Sequence, residues 1–140
     1  SERIFIWTRS MDYVFKRPLF GFGPDTFDKV FKMTPEEALH HFGSTNIYVD
    51  KAHNEYLQIL ITLGFPALIL YLLFLFEIVF KSVRKLVNNK DNMLTCILLS
   101  GILSYIIQAF FNISVVSVAP LYWSFLGVLE NSSAGTKKQG

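Results

Sequence analysis

Residues that could act on a phosphate ester occur in the polar N-terminal third of this chain. His53 lies within the segment 50–58, immediately before a long apolar stretch. With Asp50 as the N-cap of the following helix, His53 would occupy the third helical position, where free backbone N–H groups and the helix dipole attract anions. Arg3 and Arg9 carry guanidinium groups, which present paired donors to phosphate oxygens. These residue types suit the transfer of a group away from a phosphate leaving group, with the histidine accepting a proton.

Each of these residues also has a purely structural interpretation. A histidine at a membrane interface is often only an anchor with a wet tip. Arg9 has Asp12 three residues later, and such a pair on a helix surface would account for the arginine without any ligand. Arg17 ranks behind Arg3 and Arg9 as a phosphate ligand. The pair His40-His41 lies near a predicted helix end and is expected to be solvated.

Metal chemistry has little support in the sequence. Asp50, His53 and Glu55 could form a metal site. However, Glu55 would lie about 200° around the helix from His53 at ~100° per residue, so the two side chains would diverge. Cys96 is the only cysteine, which excludes an intrachain disulfide and a cysteine cluster, and we interpret it as a packing residue. We therefore predict neither a metal nor a cofactor.

The composition is typical of a membrane protein. Hydrophobic residues make up 51% of the chain and charged residues 17%, which is apolar for a water-soluble protein. The net charge of +2 is too small to indicate nucleic-acid binding, and the basic residues are not interleaved with aromatic ones. The length of 140 residues favours one domain, and the first residue, Ser1, predicts a piece of a longer protein.

Three apolar stretches follow the polar third and must position it against a membrane. The first, 59–80, is long enough to cross the ~30 Å core of a bilayer, and Pro66 predicts a kink in it. The second, 94–111, is also long enough. The third, 115–129, is short, and we predict a helix that starts near Pro120 or dips into the membrane and returns. The fold class is therefore an all-α membrane protein, with membrane domain 57–130.

Polar residues inside the apolar stretches are interpreted as packing features. Small and polar side chains recur at every fourth position of the second stretch: Cys96, Ser100, Ser104 and Gln108. Small residues at this spacing let helices approach closely in lipid, so we predict a packing face between helices. Glu77 is the only charge in the first stretch, and we expect it to reach water or to meet a partner helix.

Basic residues predict the orientation in the membrane. Four of them occur in the connector 81–92, namely Lys81, Arg84, Lys85 and Lys90, and the tail adds Lys137 and Lys138. The positive-inside rule places 81–92 and 131–140 in the cytoplasm and residues 1–56 outside it. The tail 131–140 is rich in Ser, Gly, Lys and Asn and is expected to be disordered.

The region outside the membrane is predicted to be mostly helical. Apolar residues at three-to-four spacing predict an amphipathic helix that ends before Pro18: Ile4, Trp7, Met11, Val14 and Phe15. A tight turn at 21–24 and a short helix at 25–32 follow. Thr34 and Glu37 have the spacing of a capping box and predict the start of the next helix.

Four motifs then occur in order along the chain. They are Ser-Glu-Arg with a tryptophan four residues after the arginine (1–7), Pro-Leu-Phe-Gly-Phe-Gly-Pro (18–24), Ala-His-Asn-Glu-Tyr-Leu-Gln (52–58), and Leu-Gly-Phe-Pro (63–66) followed by an apolar run. At this spacing they resemble the C-terminal conserved region of the O-antigen ligase and polymerase superfamily. Its members are multi-pass membrane glycosyltransferases of bacterial surface polysaccharides. The match departs from the family at Pro66, where the family usually has glycine.

The resemblance implies substrates and residue roles. The donor would be a glycan carried on undecaprenyl diphosphate, used at the outer side of the bacterial inner membrane without metal or nucleotide sugar. The acceptor would be a hydroxyl of a glycan or lipid. His53 would activate that hydroxyl, and Arg3, in the family's Arg-x-x-x-Trp position, would hold the diphosphate. Asp50 and Asn54 flank the histidine and are expected to support it.

The sequence leaves two questions open: whether the protein is a ligase or a polymerase, and whether it is catalytic at all. The resemblance implies many more spans than three, so the isolated chain is expected to be inactive without the remaining transmembrane helices. It does not separate a ligase from a polymerase. The rival interpretation is a non-catalytic membrane subunit or a transporter fragment. That rival predicts that His53 and Arg3 tolerate substitution, whereas Glu77 or Gln108 does not.

Overall fold

Seven α-helices form the part of the chain that the computed structural model describes, residues 2–88, 92–114 and 117–134. They are α1 (Glu2–Val14), α2 (Phe27–Val30), α3 (Pro35–Phe42), α4 (Glu55–Leu63), α5 (Phe65–Asn88), α6 (Met93–Ala109) and α7 (Ala119–Ala134). The described residues contain no strand, which confirms the all-α prediction. Among them α5 is the one helix long and apolar enough to cross a membrane, while α6 is apolar but shorter. Three membrane spans are therefore not shown.

The chain divides into two compact units. The first contains the residues up to Leu70 together with Ala109–Ile113, and the second contains Tyr71–Gln108 and the chain from Ser114 onward. Both arginines and the histidine of the predicted site belong to the first unit. That unit alone therefore decides how those side chains are arranged.

The core of the first unit shows which face of α1 is buried. Its buried members come from α1, α2, α4 and the chain between them: Ile6, Val14, Phe27, Phe31, Ala52, Leu57 and Ile61. On α1 the buried line is Ile6, Ser10 and Val14, so the predicted face is wrong in part, because Ile4, Met11 and Phe15 are exposed. The cause is the apolar run from Ile4 to Trp7, which surrounds the helix and does not define a single face.

Both ends of α3 have the structure that the sequence predicts. Thr34 accepts a hydrogen bond from the N–H of Glu37, and the Glu37 carboxylate accepts one from the N–H of Thr34, which confirms the capping box. Gly43 ends the helix with φ +72°. In contrast, α2 has only four residues instead of the predicted 25–32, and its N-cap is Thr26.

A turn at Gly21 joins the chain after α1 to the last turn of α4. The N–H of Phe22 donates to the carbonyl of Ile61 (2.9 Å), and the N–H of Gly23 donates to that of Thr62 (2.8 Å). Carbonyls at the end of a helix lack intrahelical partners, so this turn caps α4. Gly21 has φ +60°, and a Cβ on it would lie 2.4 Å from the carbonyl carbon of Thr62. The two backbones are thus in direct contact.

Gly64 makes the reciprocal contact from the other side. It has φ +86°, and a Cβ on it would lie 2.7 Å from the carbonyl oxygen of Pro18. The same oxygen accepts the N–H of Phe65 at 2.7 Å. The predicted helix 59–80 is therefore two helices that meet at Gly64. The predicted kink at Pro66 is misplaced, because Pro66 lies in the first turn of α5, where proline removes no helical hydrogen bond.

The second unit packs parts of α5, α6 and α7 around an apolar core. Its buried residues are Leu75, Ile78, Leu98, Leu99, Ile102, Tyr122, Leu126 and Leu129. The polar ridge predicted as a packing face, from Cys96 to Gln108, is exposed within the described residues. The hydroxyls of Ser100 and Ser104 instead bond to carbonyls of their own helix, four residues earlier. The buried face of α6 instead carries Leu98, Leu99 and Ile102.

Lys81 connects α5 to α7 in the second unit. Its Nζ lies 2.7 Å from a carboxylate oxygen of Glu77 and 2.7 Å from one of Glu130. One turn later the Nζ of Lys85 donates to the carbonyl of Ser132 (2.9 Å). Glu77 therefore meets a lysine of its own helix, and the partner helix supplies a second carboxylate to that lysine.

Two helices are longer than predicted. Residues 81–88, predicted as part of a connector, continue α5, and residues 131–134, predicted as tail, continue α7. The start of α7 beside Pro120 agrees with the prediction. Parts of three predictions lie outside the described residues: Lys90, the start of the third stretch at 115–116, and the tail at 135–140.

Candidate functional site

His53 lies immediately before α4 and not inside it. Asn54 is the N-cap, and its side-chain oxygen accepts the N–H of Leu57 at 3.0 Å. The prediction that Asp50 caps this helix is wrong, because Asn54 supplies the capping oxygen at the residue where extended backbone becomes helical. His53 is half-buried and has φ +51°, a left-handed conformation that is uncommon for a residue with a Cβ.

Hydrogen bonds on both sides hold Ala52, the residue before the histidine. Its N–H donates to Oε1 of Gln58 (2.9 Å), and its carbonyl accepts the indole N–H of Trp7 (2.9 Å). Ala52 is fully buried, and Asn54 on the other side is nearly so. The left-handed residue His53 is therefore held between two anchored neighbours. Strain of this kind persists only where surrounding contacts determine it, and it clusters at functional sites.

Arg3 lies on α1 one turn before Trp7. Its Nη1 donates to the carbonyl of Phe111 at 3.0 Å. The neighbouring ring of Phe110 lies 6.4 Å from the Trp7 ring in edge-on orientation and 5.7 Å from the ring of Tyr56. The arginine, the tryptophan and the first turn of α4 therefore all meet one short segment. A guanidinium has five N–H donors, so the bond to one carbonyl leaves capacity for an anion.

An open groove of about 760 Å³ lies beside Arg3 and is lined by Glu2, Arg3, His40 and His41. His40 is exposed as predicted, whereas His41 is half-buried and stacks on Phe5 with ring centroids 4.0 Å apart. Both histidines end α3, where the negative end of the helix dipole disfavours an anion, and Glu2 adds a carboxylate. The opposite, positive end of a helix dipole lies at the start of α4, whose first turn carries the carboxylate of Glu55.

Arg9 is engaged with two carboxylates. Its guanidinium lies 3.7 Å from Asp12 and 3.9 Å from Glu37, and the first of these pairs confirms its structural interpretation. The N–H of Thr34 is the main cause that lowers the pKa of Glu37, and the charge of Arg9 adds to it. Because two carboxylates offset its charge, Arg9 is less suited to an anion than Arg3. Its role as a diphosphate ligand stays a prediction.

Metal ligands are not grouped in the part of the chain that the structure describes. No three His, Cys, Asp or Glu side chains among residues 2–88, 92–114 and 117–134 lie close enough to share an ion. Asp50, His53 and Glu55 are thus not such a group. Cys96 is exposed in the second unit.

Comparison with known proteins addresses the same residues. A family model described as O-antigen ligase matches residues 1–72, just over half of the 140-residue chain. The chain belongs to the O-antigen ligase family. No curated protein and no solved structure matches it. The family comprises membrane-associated polysaccharide ligases and polymerases with glycosyltransferase-like activity. Its matched region contains Arg3 and His53, and the long apolar helix α5 agrees with a membrane setting.

Trp7 and Gln58 are the site residues that sequence reasoning did not select. Both belong to the motifs that carry the family resemblance, and this membership was the available signal. Their roles depend on the backbone of Ala52, whose N–H and carbonyl they bind from opposite sides. Neither partner could be identified without the fold, because the tryptophan is 45 residues away along the chain.

Proposed function

We propose that this O-antigen ligase family chain is the C-terminal part of a bacterial surface-polysaccharide polymerase or O-antigen ligase. It would transfer glycan from an undecaprenyl-diphosphate donor to a hydroxyl of a glycan or lipid at the outer face of the inner membrane. The observation that carries the proposal is the hydrogen bond from Trp7 to Ala52. This bond joins the helix that bears Arg3 to the residue next to His53.

The proposed reaction is a single displacement at the anomeric carbon of the donor. The acceptor oxygen forms a bond to that carbon while the bond from the carbon to the diphosphate oxygen breaks. His53 takes the proton of the acceptor hydroxyl, and the diphosphate leaves with the bonding electron pair. Arg3 stabilises the charge of the leaving group through its paired N–H donors. The histidine remains protonated until it releases the proton to water.

The geometry around His53 supports its role as the base. His53 precedes the N-cap of α4 and is half-buried, so part of its side chain is accessible to a substrate. The nine-residue helix α4 directs the backbone N–H groups of its first turn toward the same end, where they favour an anion. Asn54 supports the histidine by capping this helix. Asp50, in the exposed chain before it, stays a predicted supporting residue.

The proposed orientation places residues 1–56 outside the cytoplasm. Basic residues cluster in the last turns of α5, where Arg84 is exposed and Lys85 follows it, and this supports a cytoplasmic location for that end. A single cysteine tests the orientation. In a Cys96→Ser background, Thr45→Cys should react with a membrane-impermeant maleimide on intact spheroplasts. Reaction only after lysis would contradict the proposed orientation.

The catalytic role is tested by His53→Ala in the full-length parent protein. We expect product to fall by about 10²–10⁴-fold, the usual contribution of a general base. Membrane insertion and protein abundance should stay normal, since the histidine side chain is half-exposed. His40→Ala is the matched control, because it removes an exposed imidazole from α3. Product formation by His53→Ala at the wild-type rate would refute the assignment.

The diphosphate role is tested by Arg3→Gln, with Lys32→Gln as the control. Lys32 is an exposed cation of the same unit with no proposed ligand. Loss of product with the first variant and normal product with the second would support the proposal. Normal product with Arg3→Gln would favour a non-catalytic membrane module. Comparing polymer length with the amount of glycan transferred to a lipid acceptor would separate a polymerase from a ligase.

A further inference from the structure

The turn that caps α4 also presents an exposed apolar tip, formed by Leu19 and Phe20. Phe20 is 85% exposed, the highest value of any large apolar side chain among the described residues, and Leu19 is 61% exposed. Both follow Pro18 in a short turn closed by the N–H of Gly21, which donates to the carbonyl of Arg17 (3.1 Å). Contiguous exposed apolar surface of this kind is typical of a contact with another protein or with a membrane.

The backbone fixes this tip to the beginning of α5. The carbonyl of Pro18 accepts the N–H of Phe65, the first residue of α5, at 2.7 Å. Gly64 leaves no room for a side chain against Leu19, since a Cβ would lie 2.5 Å from its carbonyl oxygen. Leu19 and Phe20 are therefore held at the level of the first turn of α5. If α5 crosses a membrane, these backbone contacts determine how deep the tip lies relative to the lipid head groups.

The surroundings of the tip match the boundary between lipid head groups and acyl chains. The second turn of α5 exposes Ile69 and Leu70, at 53% and 68%, so the apolar surface continues into the membrane helix. On the other side the tip is preceded by two exposed cations, Lys16 and Arg17. An apolar insertion bordered by basic side chains is how peripheral segments bind anionic bilayers.

We propose that Leu19 and Phe20 insert into the bilayer beside α5, with Lys16 and Arg17 at the lipid phosphates. The first unit would then contact the membrane both through the tip and through its own residues at the start of α5. α4, about 14 Å long at ~1.5 Å per residue, connects this contact to the turn that bears His53. The inference concerns lipid contact alone and does not depend on the catalytic assignment.

The experiment uses single-cysteine variants of the chain in vesicles of phosphatidylcholine and phosphatidylglycerol. In a Cys96→Ser background, Phe20→Cys is labelled with an environment-sensitive fluorophore, and Thr45→Cys is the control on an exposed polar loop. Spin-labelled lipids carry the quencher near the head group or deep in the acyl chain. For a tip about 5–10 Å below the head groups, the shallow quencher should act more strongly than the deep one at Phe20→Cys. Neither should act at Thr45→Cys.

The remaining outcomes decide against the proposal. A label at Phe20→Cys that aqueous iodide quenches as strongly as the Thr45→Cys label would mean that the tip is in water. A label protected from both iodide and spin-labelled lipid would mean that protein covers the tip. Because Phe20 is so exposed, its replacement should leave folding intact, and unchanged thermal unfolding of Phe20→Ser in detergent checks this. As a second measurement, the double variant Lys16→Gln and Arg17→Gln should reduce quenching of the Phe20→Cys label by the shallow quencher. Unchanged quenching would contradict the proposed contact of these two cations with the lipid phosphates.

Discussion

Gly21→Ala is the substitution that most directly tests how the site is assembled. Gly21 lies in the turn that caps α4, and a Cβ there would lie 2.4–2.6 Å from backbone atoms of Ile61 and Thr62. Carbon atoms in contact are normally about 3.5–4.0 Å apart, so the two backbones would have to separate by about 1 Å. Gly43→Ala is the matched control. Gly43 also has a positive φ, but nothing lies within 4 Å of its Cβ position.

The expected difference follows from these contacts. Both substitutions place alanine in a left-handed conformation, at a cost of about 1–2 kcal/mol. Only Gly21→Ala also stretches the bonds from Phe22 and Gly23 to α4, which are now 2.9 and 2.8 Å, beyond hydrogen-bonding range. Each lost bond costs about 0.5–1.5 kcal/mol, so Gly21→Ala should be less stable than Gly43→Ala by about 1–3 kcal/mol. That corresponds to a melting temperature lower by about 4–12 °C for a chain of this size.

Tryptophan fluorescence in detergent is a suitable assay. The chain has two tryptophans, and a Trp123→Phe background leaves Trp7 as the reporter of the first unit. Trp7 binds the carbonyl of Ala52, so its emission should change when α1 separates from the histidine segment. If Gly21→Ala and Gly43→Ala unfold at the same temperature in this background, the close contact with α4 is not what holds the unit together.

Three further predictions concern individual hydrogen bonds. Trp7→Phe removes the donor to a buried carbonyl, so the free energy of unfolding should fall by about 1–3 kcal/mol, and product formation by the parent protein should fall with it. Gln58→Leu removes the acceptor of the Ala52 N–H, and we expect a similar loss in thermal unfolding. Tyr48 donates to Asp28 at 2.6 Å, which lowers the pKa of that carboxyl below its ordinary value. This bond stabilises the fold above the ordinary aspartate pKa and is lost as pH falls through the lowered one. Tyr48→Phe should therefore reduce the melting temperature slightly at neutral pH and make no difference in stronger acid.

Each of these predictions has its own control. For the tryptophan, kcat should fall more than KM rises if it positions the histidine, and a change in KM alone would contradict that role. For the glutamine, Gln58→Glu keeps an acceptor oxygen and should retain most of the stability that Gln58→Leu loses. Equal losses would show that the bond to Ala52 is unimportant. For the tyrosine, a difference from wild type that persists in acid would exclude Asp28 as its cause.

Much of the helical structure could be predicted because its causes are local. The capping box at Thr34 and Glu37 depends on residues three apart, and Pro120 marks the start of α7 for the same local reason. The break at Gly64 was misplaced by two residues. A proline is the stronger local signal, whereas the position of the actual break depends on the carbonyl of Pro18, remote in sequence. The face of α1 was misjudged since Ile4 to Trp7 are all apolar, and only the packed neighbours select among them.

The sequence by itself determined the family and the kinds of side chain proposed for the site. The reason is that the order and spacing of the motifs can be recognised without knowledge of the fold. It could not decide whether His53 lies inside the following helix or before it. Both Asp50 and Asn54 can cap a helix, and the choice depends on bonds to Ala52 from Gln58 and from a tryptophan on another helix. Tertiary structure made that choice, since the left-handed His53 follows Ala52, whose carbonyl is held by a tryptophan 45 residues away along the chain.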